Sequence, residues 1–251
     1  MLKFVQAICV LLLLSVLAGQ VFVQTAKTGK VLLVETGDGF HGDEAKAENG
    51  EKWLGLYVTK RGSSLLTSRV IVRRVVDPIV DEEGGPMTRK NVSVDQPVEP
   101  IFLVKGATML KPGPVTTIYR GGRAETHRLI NGYDLASRKT FRLRLGDQEY
   151  QLKVLGRKVR YNENPNAEFV NLKLALVLGR QTQILYTPGI VSETTPWKLL
   201  WAGDADGDGK LDLYVGVSWH YNVSETKLFL SSGAKPGQLV KEVAKFVTTG
   251  C

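Results

Sequence analysis

Apolar and polar residues alternate with a period of two along much of this chain. In residues 141–154, apolar side chains take every second position on either side of a Gly146-Asp147 turn. Residues 170–178 alternate in the same way, Gly179-Arg180 follows, and residues 183–186 return. Because successive side chains of a strand point to opposite faces of a sheet, each pattern predicts an antiparallel hairpin with one buried and one solvated face.

Further short strands are predicted where β-branched and apolar residues form runs bounded by turn residues. These runs are residues 31–35, 53–59, 65–76, 101–104, 116–119, 197–201, 211–219 and 226–230. Two stretches are predicted to be irregular: residues 39–52 are polar and contain glycine, and residues 77–100 hold four prolines. The apolar residues of 239–247 have helical spacing between Pro236 and Gly250, which predicts a short C-terminal helix.

The predicted fold class is therefore mainly β. We expect antiparallel hairpins in a single β-rich domain, residues 27–251, with one strand–loop–strand site and the short terminal helix. A chain of this length can bury one sizeable core, and all-β domains of this size often stay undivided.

The N-terminal residues predict export. Lys3 precedes an apolar run over residues 4–17, and small residues follow at Ala18 and Gly19. This order is typical of a secretory signal peptide, residues 1–18, cleaved after Ala18. The run is shorter than the roughly 20 residues of a spanning helix, so an uncleaved anchor is the alternative. We expect a periplasmic or extracellular protein with no integral membrane segment after cleavage, and with only Cys251 left it has no internal disulfide.

The formal net charge is +8, which favours anionic partners. An exported basic protein would meet an anionic polysaccharide or an envelope protein, and export argues against nucleic acid. Basic residues cluster on the polar face of the first hairpin and just beyond it: Arg142, Arg144, Lys153, Arg157, Lys158 and Arg160. The alternative interpretation is an ordinary solvated sheet face.

An acidic loop lies within residues 201–219, WAGDADGDGKLDLYVGVSW. Four aspartates occur in nine residues, with Lys210 as the one nearby cation, and like charges so close repel unless a cation compensates. Calcium takes six to eight oxygen ligands, and the odd positions of a tight loop direct oxygens inward, with glycine at position six for the sharp turn. The predicted ligands are the side chains of Asp204, Asp206, Asp208 and Asp212 and the backbone carbonyl of Lys210. A solvated acidic turn built on Asp-Gly dipeptides is the alternative.

The spacing excludes an EF-hand, because position twelve is Val215 in place of a bidentate Glu and both flanks are predicted strands. GDADGDGKLDLYVG resembles the calcium loop of FG-GAP/VCBS-type repeats, the units of integrin-type β-propellers. The resemblance covers about residues 201–230 and implies Ca²⁺ held by the same five residues. The motif occurs once, near the C-terminus.

Two weaker groups remain. His41 lies among Asp38, Asp43 and Glu44, a composition that could bind zinc or supply acid–base catalysis, or form a polar loop with one surface histidine. The second group consists of Trp219, His220 and Tyr221, which could offer sugars an aromatic platform or cap the core.

The sequence has no phosphate-binding Gly-Lys loop, no paired metal-binding cysteines and no Gly-x-Ser-x-Gly nucleophile elbow. It therefore predicts an exported, non-catalytic β-rich protein with a structural calcium ion, in a binding or cell-envelope role. The alternative function is a secreted hydrolase or carbohydrate-active protein that uses His41 with neighbouring carboxylates.

Overall fold

The chain is built from antiparallel strands. This computed structural model describes residues 30–121, 140–161, 164–188, 197–220 and 222–250. Within these ranges it describes side chains as well as backbone, except for residues 157–170, where it describes the backbone alone. Within those ranges it forms strands and no helix, which confirms the mainly β prediction. The strands are β1 (Leu32–Val34), β2 (Gly37–Phe40), β3 (Lys52–Thr59), β4 (Gly62–Val75), β5 (Arg89–Val94), β6 (Leu103–Lys105), β7 (Gly113–Arg120), β8 (Phe141–Leu145), β9 (Gln148–Tyr161), β10 (Asn164–Leu178), β11 (Gln181–Tyr186), β12 (Lys198–Asp204), β13 (Asp212–Gly216), β14 (Val223–Leu230) and β15 (Lys241–Thr249).

The larger sheet has the order β1-β6-β3-β4-β7-β12-β13-β14-β15, with β5 pairing both β4 and β2. All strand pairings described in this sheet are antiparallel. The two ends of the order, β1 and β15, also contact each other. The acidic loop joins β12 to β13, so its flanking strands lie well inside the sheet, with β7 on one side and β14 on the other.

The smaller sheet has the order β11-β10-β9-β8 and consists of the two predicted hairpins. In the first, Leu145 pairs with Gln148 across the Gly146-Asp147 turn. In the second, Leu178 pairs with Gln181 across Gly179-Arg180. Both hairpin predictions are confirmed in position and in register.

Two hydrophobic clusters of described residues stabilise the sheets. One lies within the larger sheet and includes Trp53, Phe102 and Tyr214. The other joins the two sheets, because leucines of β8, β9 and β10 pack with Leu199 and Leu213. Burial of both faces of β13 explains its continuous apolar sequence, since Leu213 contributes to one cluster and Tyr214 to the other.

The predicted C-terminal helix is wrong. Residues 241–249 form β15, which pairs antiparallel with β14 from Lys241 to Thr249. Ala244 and Phe246 are buried in the period-two pattern of a strand. The helical spacing arose because Leu239 and Val240, which precede the strand, pack into the cluster between the sheets. Pairing with β14 then supplies the backbone hydrogen bonds that a helix would otherwise make internally.

The two stretches predicted to be irregular each contain a strand. β5 lies within residues 77–100, in the proline-free interval between Pro86 and Pro97, where the long β4 offers a partner edge. β2 takes the first residues of the polar stretch 39–52 into pairing with β5. Both predictions are wrong in those parts, because an available edge outweighed the local composition.

Two further predictions concern the N-terminus and the residues that follow β13. The predicted signal peptide, residues 1–18, lies outside the described residues. The inward alternation predicted for residues 211–219 holds through Val217, which is buried one residue beyond β13, and it fails at Trp219, which is 42 % exposed. Within the described ranges, the structure holds no helix with the length and apolar character that a membrane crossing demands.

Candidate metal site in the loop between β12 and β13

The acidic loop begins and ends on paired strands. Asp204 is the last residue of β12 and Asp212 the first of β13, and Gly203 pairs with Asp212 at the base. Gly207 and Gly209 both have a φ of 77°, a left-handed conformation that other residues adopt at a cost. The two glycines therefore allow the tight turning that returns the chain antiparallel to β12.

Three of the predicted ligands converge. Carboxylate oxygens of Asp204, Asp206 and Asp208 all lie within 4.8 Å of one another. The three side chains form a gradient from buried at Asp204 to exposed at Asp208. This cluster could hold a metal ion, with one side open to solvent.

Backbone N–H groups of the loop hold these carboxylates in place. Asp204 accepts hydrogen bonds from the N–H groups of Gly207 and Gly209, at 2.7 and 2.9 Å. Asp208 accepts one from the N–H of Lys210 at 2.8 Å. The loop is thus curled around its own acidic side chains, so the convergence follows from local geometry.

Two serines from the end of β14 complete the surroundings. The Ser231 hydroxyl donates to Asp208 at 2.9 Å, and the Ser232 hydroxyl donates to Asp206. Among the described residues, no lysine or arginine forms an ion pair with the three clustered carboxylates. Three negative charges are therefore compensated here by neutral donors alone.

Asp212 has a different position from the other three aspartates. Its side chain is fully buried and accepts from the Ala205 N–H at 2.8 Å and from the Ser231 N–H at 2.7 Å, with the Ser231 hydroxyl at 2.9 Å. These bonds tie both ends of the loop to β14. The predicted roles of Asp212 as a closing ligand and of the Lys210 carbonyl as a backbone ligand stay predictions.

The electrostatics of the loop favour a cation. Burial raises the pKa of the Asp212 carboxyl to about 7, and the nearby charge of Asp206 adds to the shift. Burial, followed by the charges of Asp208 and Asp204, also raises the pKa of Asp206. Both shifts express the cost of placing several carboxylates together away from water, a cost that a bound cation would remove.

The donor set indicates the kind of ion. The three clustered aspartates and the two serines bonded to them offer oxygen, as carboxylate or hydroxyl, and among the described residues no histidine or cysteine joins the cluster. Hard divalent cations such as calcium, magnesium and manganese prefer oxygen ligands, whereas zinc and copper sites use imidazole and thiolate. The residues fit a hard cation.

The loop also contacts the smaller sheet. Tyr150 of β9 lies near Asp208 and Asp212, and burial followed by those charges raises the pKa of its hydroxyl. Beyond Ser231 and Ser232, the linker to β15 reaches Gln183 of β11, whose amide bonds the backbone of Leu239 and Val240. The loop therefore lies at the junction of the two sheets.

His41 has a partner that the sequence did not suggest. Its Nδ1 lies 2.5 Å from Oδ2 of Asp77, a fully buried carboxylate 36 residues away. Asp77 also accepts the Ile79 N–H at 3.0 Å, and Arg89 lies 3.9 Å from it. Burial raises the pKa of Asp77, but the Ile79 N–H, His41 and Arg89 together outweigh it and hold the pKa below its ordinary value.

The three carboxylates predicted to act with His41 have different surroundings in the structure from that of Asp77. Glu44 accepts the backbone N–H of His41 at 2.8 Å and binds Thr249 of β15 with its other oxygen. Asp38 lines a cavity of about 550 Å³ together with His41 and Arg89. Asp43 lines a different cavity, beside β1 and β15. Nothing in the spacing of the sequence could have identified Asp77, because its pairing with His41 depends on the path of the chain after β4.

The predicted aromatic platform is described in part. Trp219 is exposed and its ring lies 5.8 Å from that of His220, whose Nδ1 contacts the Asn222 side chain at 2.5 Å. Tyr221 lies outside the described residues. The described part is therefore one exposed indole beside an imidazole.

Comparison with known proteins assigns no family: no family model, no curated protein and no solved structure matches this chain.

Proposed function

We propose that the loop of residues 204–212 is a structural calcium site in an exported, non-catalytic binding protein. The observation that carries the proposal is the convergence of three carboxylates within 4.8 Å, compensated by no ion pair among the described residues. The resemblance to FG-GAP/VCBS-type loops supports calcium as the ion. In this proposal the ligands are Asp204, Asp206, Asp208, the Lys210 carbonyl and Asp212.

Calcium suits the loop better than magnesium. Magnesium requires near-ideal octahedral geometry at 2.0–2.1 Å and gives up its water reluctantly, whereas calcium accepts irregular sets of six to eight oxygens. The cluster combines carboxylates with different burial and leaves a solvent-exposed side where water could complete the shell. Such an irregular, half-open oxygen site favours the larger ion.

The position of the loop supports a structural role. Asp208 and Asp206 bind the two serines that begin the linker from β14 to β15, and that linker is bonded to β11 of the smaller sheet. A cation that orders the carboxylates would hold the strand ends β12, β13 and β14 at the junction of the two sheets. The ion would then stabilise the surface that the exported protein presents to partners, such as an anionic polysaccharide or an envelope protein.

Thermal unfolding with and without calcium tests the proposal. Extracellular modules bind calcium with a Kd of about 10⁻⁴–10⁻³ M. At 1 mM calcium the tighter end of that range stabilises the fold by about 1.4 kcal/mol, which corresponds to a rise of about 3–6 °C in Tm for a chain of this size. We expect this rise relative to EDTA, and we expect Asp208→Ala to abolish it.

The matched control is Asp147→Ala, which removes an exposed aspartate from the tip of the β8–β9 hairpin. That variant should keep the full calcium response, because Asp147 is remote in sequence from the cluster and belongs to the other sheet. A wild-type Tm that does not differ between calcium and EDTA would sink the calcium assignment. An equal response to magnesium at the same concentration would reject the choice of calcium over magnesium.

A second candidate function rests on the pair of His41 and Asp77 beside the cavity of about 550 Å³. A buried carboxylate that orients an imidazole at a cavity is the arrangement of a general base in hydrolases. In this proposal the protein is a secreted hydrolase or carbohydrate-active protein. The histidine is the one the sequence indicated, and Asp77 replaces the neighbouring carboxylates as its partner.

Hydrolysis of p-nitrophenyl acetate and of p-nitrophenyl glycosides tests this second candidate. A general base typically contributes a factor of about 10²–10⁴, so His41→Gln should lower any rate above the buffer background by that factor. His220→Gln is the matched control and should have the wild-type rate. Absence of a rate above background would exclude these substrates. Equal losses of rate in His41→Gln and His220→Gln would exclude the role of His41 as a general base.

A further inference from the structure

The outer face of the smaller sheet carries a cluster of cations. Side chains that point away from the core between the sheets belong to alternate positions of β8, β9 and β10, and cross-strand pairs put them in rows. Among the side chains that the structure describes on this face, four are basic: Arg142, Arg144, Lys153 and Lys173. Glu149 is the acidic one in that set, and it pairs with Arg142 at 3.1 Å. The face therefore has a clear positive excess.

Aliphatic side chains lie between these cations. Leu155 pairs across the strands with Lys173, and Ile184 lies in the row of Lys153 and Ala175. Leu155 is 41 % exposed and Ile184 44 % exposed, and neither belongs to a hydrophobic cluster of the described residues. The face therefore combines positive charges with two exposed aliphatic side chains.

The leucines of the opposite face explain why this face stays outward. Leu143, Leu152 and Leu174 are almost fully buried against the larger sheet. Because the side-chain period of a strand is two, that packing commits the remaining positions to the outside. Four strands at a spacing of about 4.8 Å make a platform roughly 14 Å wide, which we call the cationic platform, comprising Arg142, Arg144, Lys153, Leu155, Lys173 and Ile184.

We infer that the cationic platform docks on an anionic lipid surface. Lysine and arginine side chains near a membrane with negative surface potential are each attracted by about 1 kcal/mol, a roughly fivefold gain in partition per charge. The platform provides four such charges, one of which is offset by Glu149. Leu155 and Ile184 supply aliphatic groups that can enter the boundary between headgroups and acyl chains. This inference goes beyond the calcium proposal and does not depend on it.

The aliphatic residues favour a lipid surface over a soluble anionic polymer. A hydrated polysaccharide can pair with arginines and lysines, but it gives exposed leucine and isoleucine nothing apolar to contact. Burying one such side chain in an apolar phase gains about 0.8 kcal/mol per methylene group. A lipid surface offers phosphate headgroups to the cations and acyl chains to the aliphatic groups, so it matches both features of the platform.

Sedimentation with lipid vesicles tests the inference. The sample is the chain from Gly19, which keeps all described residues and lacks the apolar run of residues 4–17, which would bind lipid by itself. We expect binding to vesicles of phosphatidylcholine with 30 % phosphatidylglycerol and much weaker binding to phosphatidylcholine alone. EDTA is present throughout, so that no cation bridges the acidic loop to phosphate, and circular dichroism verifies the fold.

Two pairs of variants separate the platform from overall charge and overall hydrophobicity. Arg144→Gln with Lys153→Gln should lower the partition coefficient about 25-fold, two charges at roughly fivefold each. Lys60→Gln with Arg61→Gln removes the same charge from the exposed turn between β3 and β4 and should leave binding within about twofold. Ile184→Ser should weaken binding several-fold, while Leu66→Ser, at a leucine 38 % exposed in the larger sheet, should not.

The outcomes decide between lipid and other anions. No binding to the anionic vesicles overturns the inference, as do equal losses in the platform and control charge variants. Binding of dextran sulfate that matches vesicle binding, together with an Ile184→Ser variant that binds vesicles like wild type, would also overturn it in favour of a soluble polyanion. Loss in both platform variants, with both controls intact, supports the lipid surface.

Discussion

Asp212 differs from its neighbours because its environment is different, although all four aspartates of the loop share one side-chain chemistry. It is fully buried and accepts hydrogen bonds from the backbone N–H groups of Ala205 and Ser231, and it shares the Ser231 hydroxyl with Asp208. Asp208 is exposed at the open side of the cluster. Burial raises the pKa of Asp212 to about 7, a shift that reflects the cost of a charge at this place. We therefore infer that Asp212 anchors the loop and that Asp208 is the carboxylate exposed to an incoming cation.

Asparagine at each position separates anchoring from ion binding. In Asp212→Asn, an amide NH₂ faces an N–H group that the carboxylate had satisfied, so we expect a loss of about 2 kcal/mol in unfolding free energy. Urea unfolding in EDTA measures this, because no calcium contributes there. Asp208→Asn should stay within about 0.5 kcal/mol of wild type in EDTA, as exposed substitutions usually do, and should lose most of the calcium response.

If Asp212→Asn were as stable as the wild-type protein in EDTA, the anchoring role of Asp212 would be contradicted. Asp147→Asn provides the control for replacing a carboxylate by an amide at an exposed turn. It should match wild type in EDTA and in calcium.

The pairing of β12 with β7 at the base of the loop depends on a close approach of their backbones. β12 has a register shift between Leu199 and Trp201, and it has another between Ala202 and Gly203 where it pairs with β7. The first turns Trp201 into the cluster of the larger sheet, where its indole N–H donates to Thr117 at 2.8 Å. The second brings the backbone of β7 so close to Gly203 that a Cβ there would lie 2.0 Å from the Thr116 carbonyl oxygen.

A glycine-to-alanine pair tests this approach at the level of the strands. Gly203→Ala forces β7 and β12 apart at the base of the loop, so we expect a loss of about 3 kcal/mol or more, at the upper end for overpacking. Gly216→Ala is the matched control in β13, because its Cβ would meet nothing closer than 3.8 Å and needs no left-handed φ.

Chemical denaturation of both variants measures the difference in unfolding free energy. The control should stay within about 1 kcal/mol of wild type. Equal stability of the two variants would show that β7 and β12 are not in the close register described.

In the part of the chain that the structure describes, two sheets are joined by one core, and the acidic loop lies at the edge of that junction. The acidic loop, Tyr150 and the linker after Ser231 meet where β9 and β11 approach the larger sheet. His41 and Asp77 tie the segment after β2 to the segment after β4, and Glu44 continues that tie to the end of β15. Calcium bound at the loop would thus affect unfolding of the molecule as a whole, which is why thermal unfolding is the appropriate readout.

A buried ion pair contributes to the same junction. Lys227 of β14 lies 3.0 Å from Glu225 and 3.0 Å from Glu242, and its ammonium lies 5.1 Å from the centre of the Tyr186 ring. Burial, followed by the charge of Glu225, raises the pKa of Tyr186 well above its ordinary value. Because the two acids and the lysine come from β14 and β15 and the tyrosine from β11, their arrangement depends on how the sheets meet.

Features with a local cause could be predicted from the amino-acid sequence. The alternation in residues 141–154 and 170–178 was sufficient for both hairpins, because strand periodicity and a Gly-containing two-residue turn act over a few residues. The convergence of Asp204, Asp206 and Asp208 was likewise predictable, because backbone N–H groups within the loop hold them together.

Features that depend on a partner distant in sequence became evident in the folded chain. Residues 241–249 form a strand because β14 offers an edge, although their apolar spacing favoured a helix. β5 forms within a proline-rich stretch because β4 extends far enough to pair with it. Asp77 reaches His41 across 36 residues, and Ser231 reaches Asp212 across 19, and neither pairing leaves a local pattern. Periodicity and turn chemistry act between neighbours in sequence, whereas pairing edges and buried hydrogen bonds are shared between segments that only folding brings together.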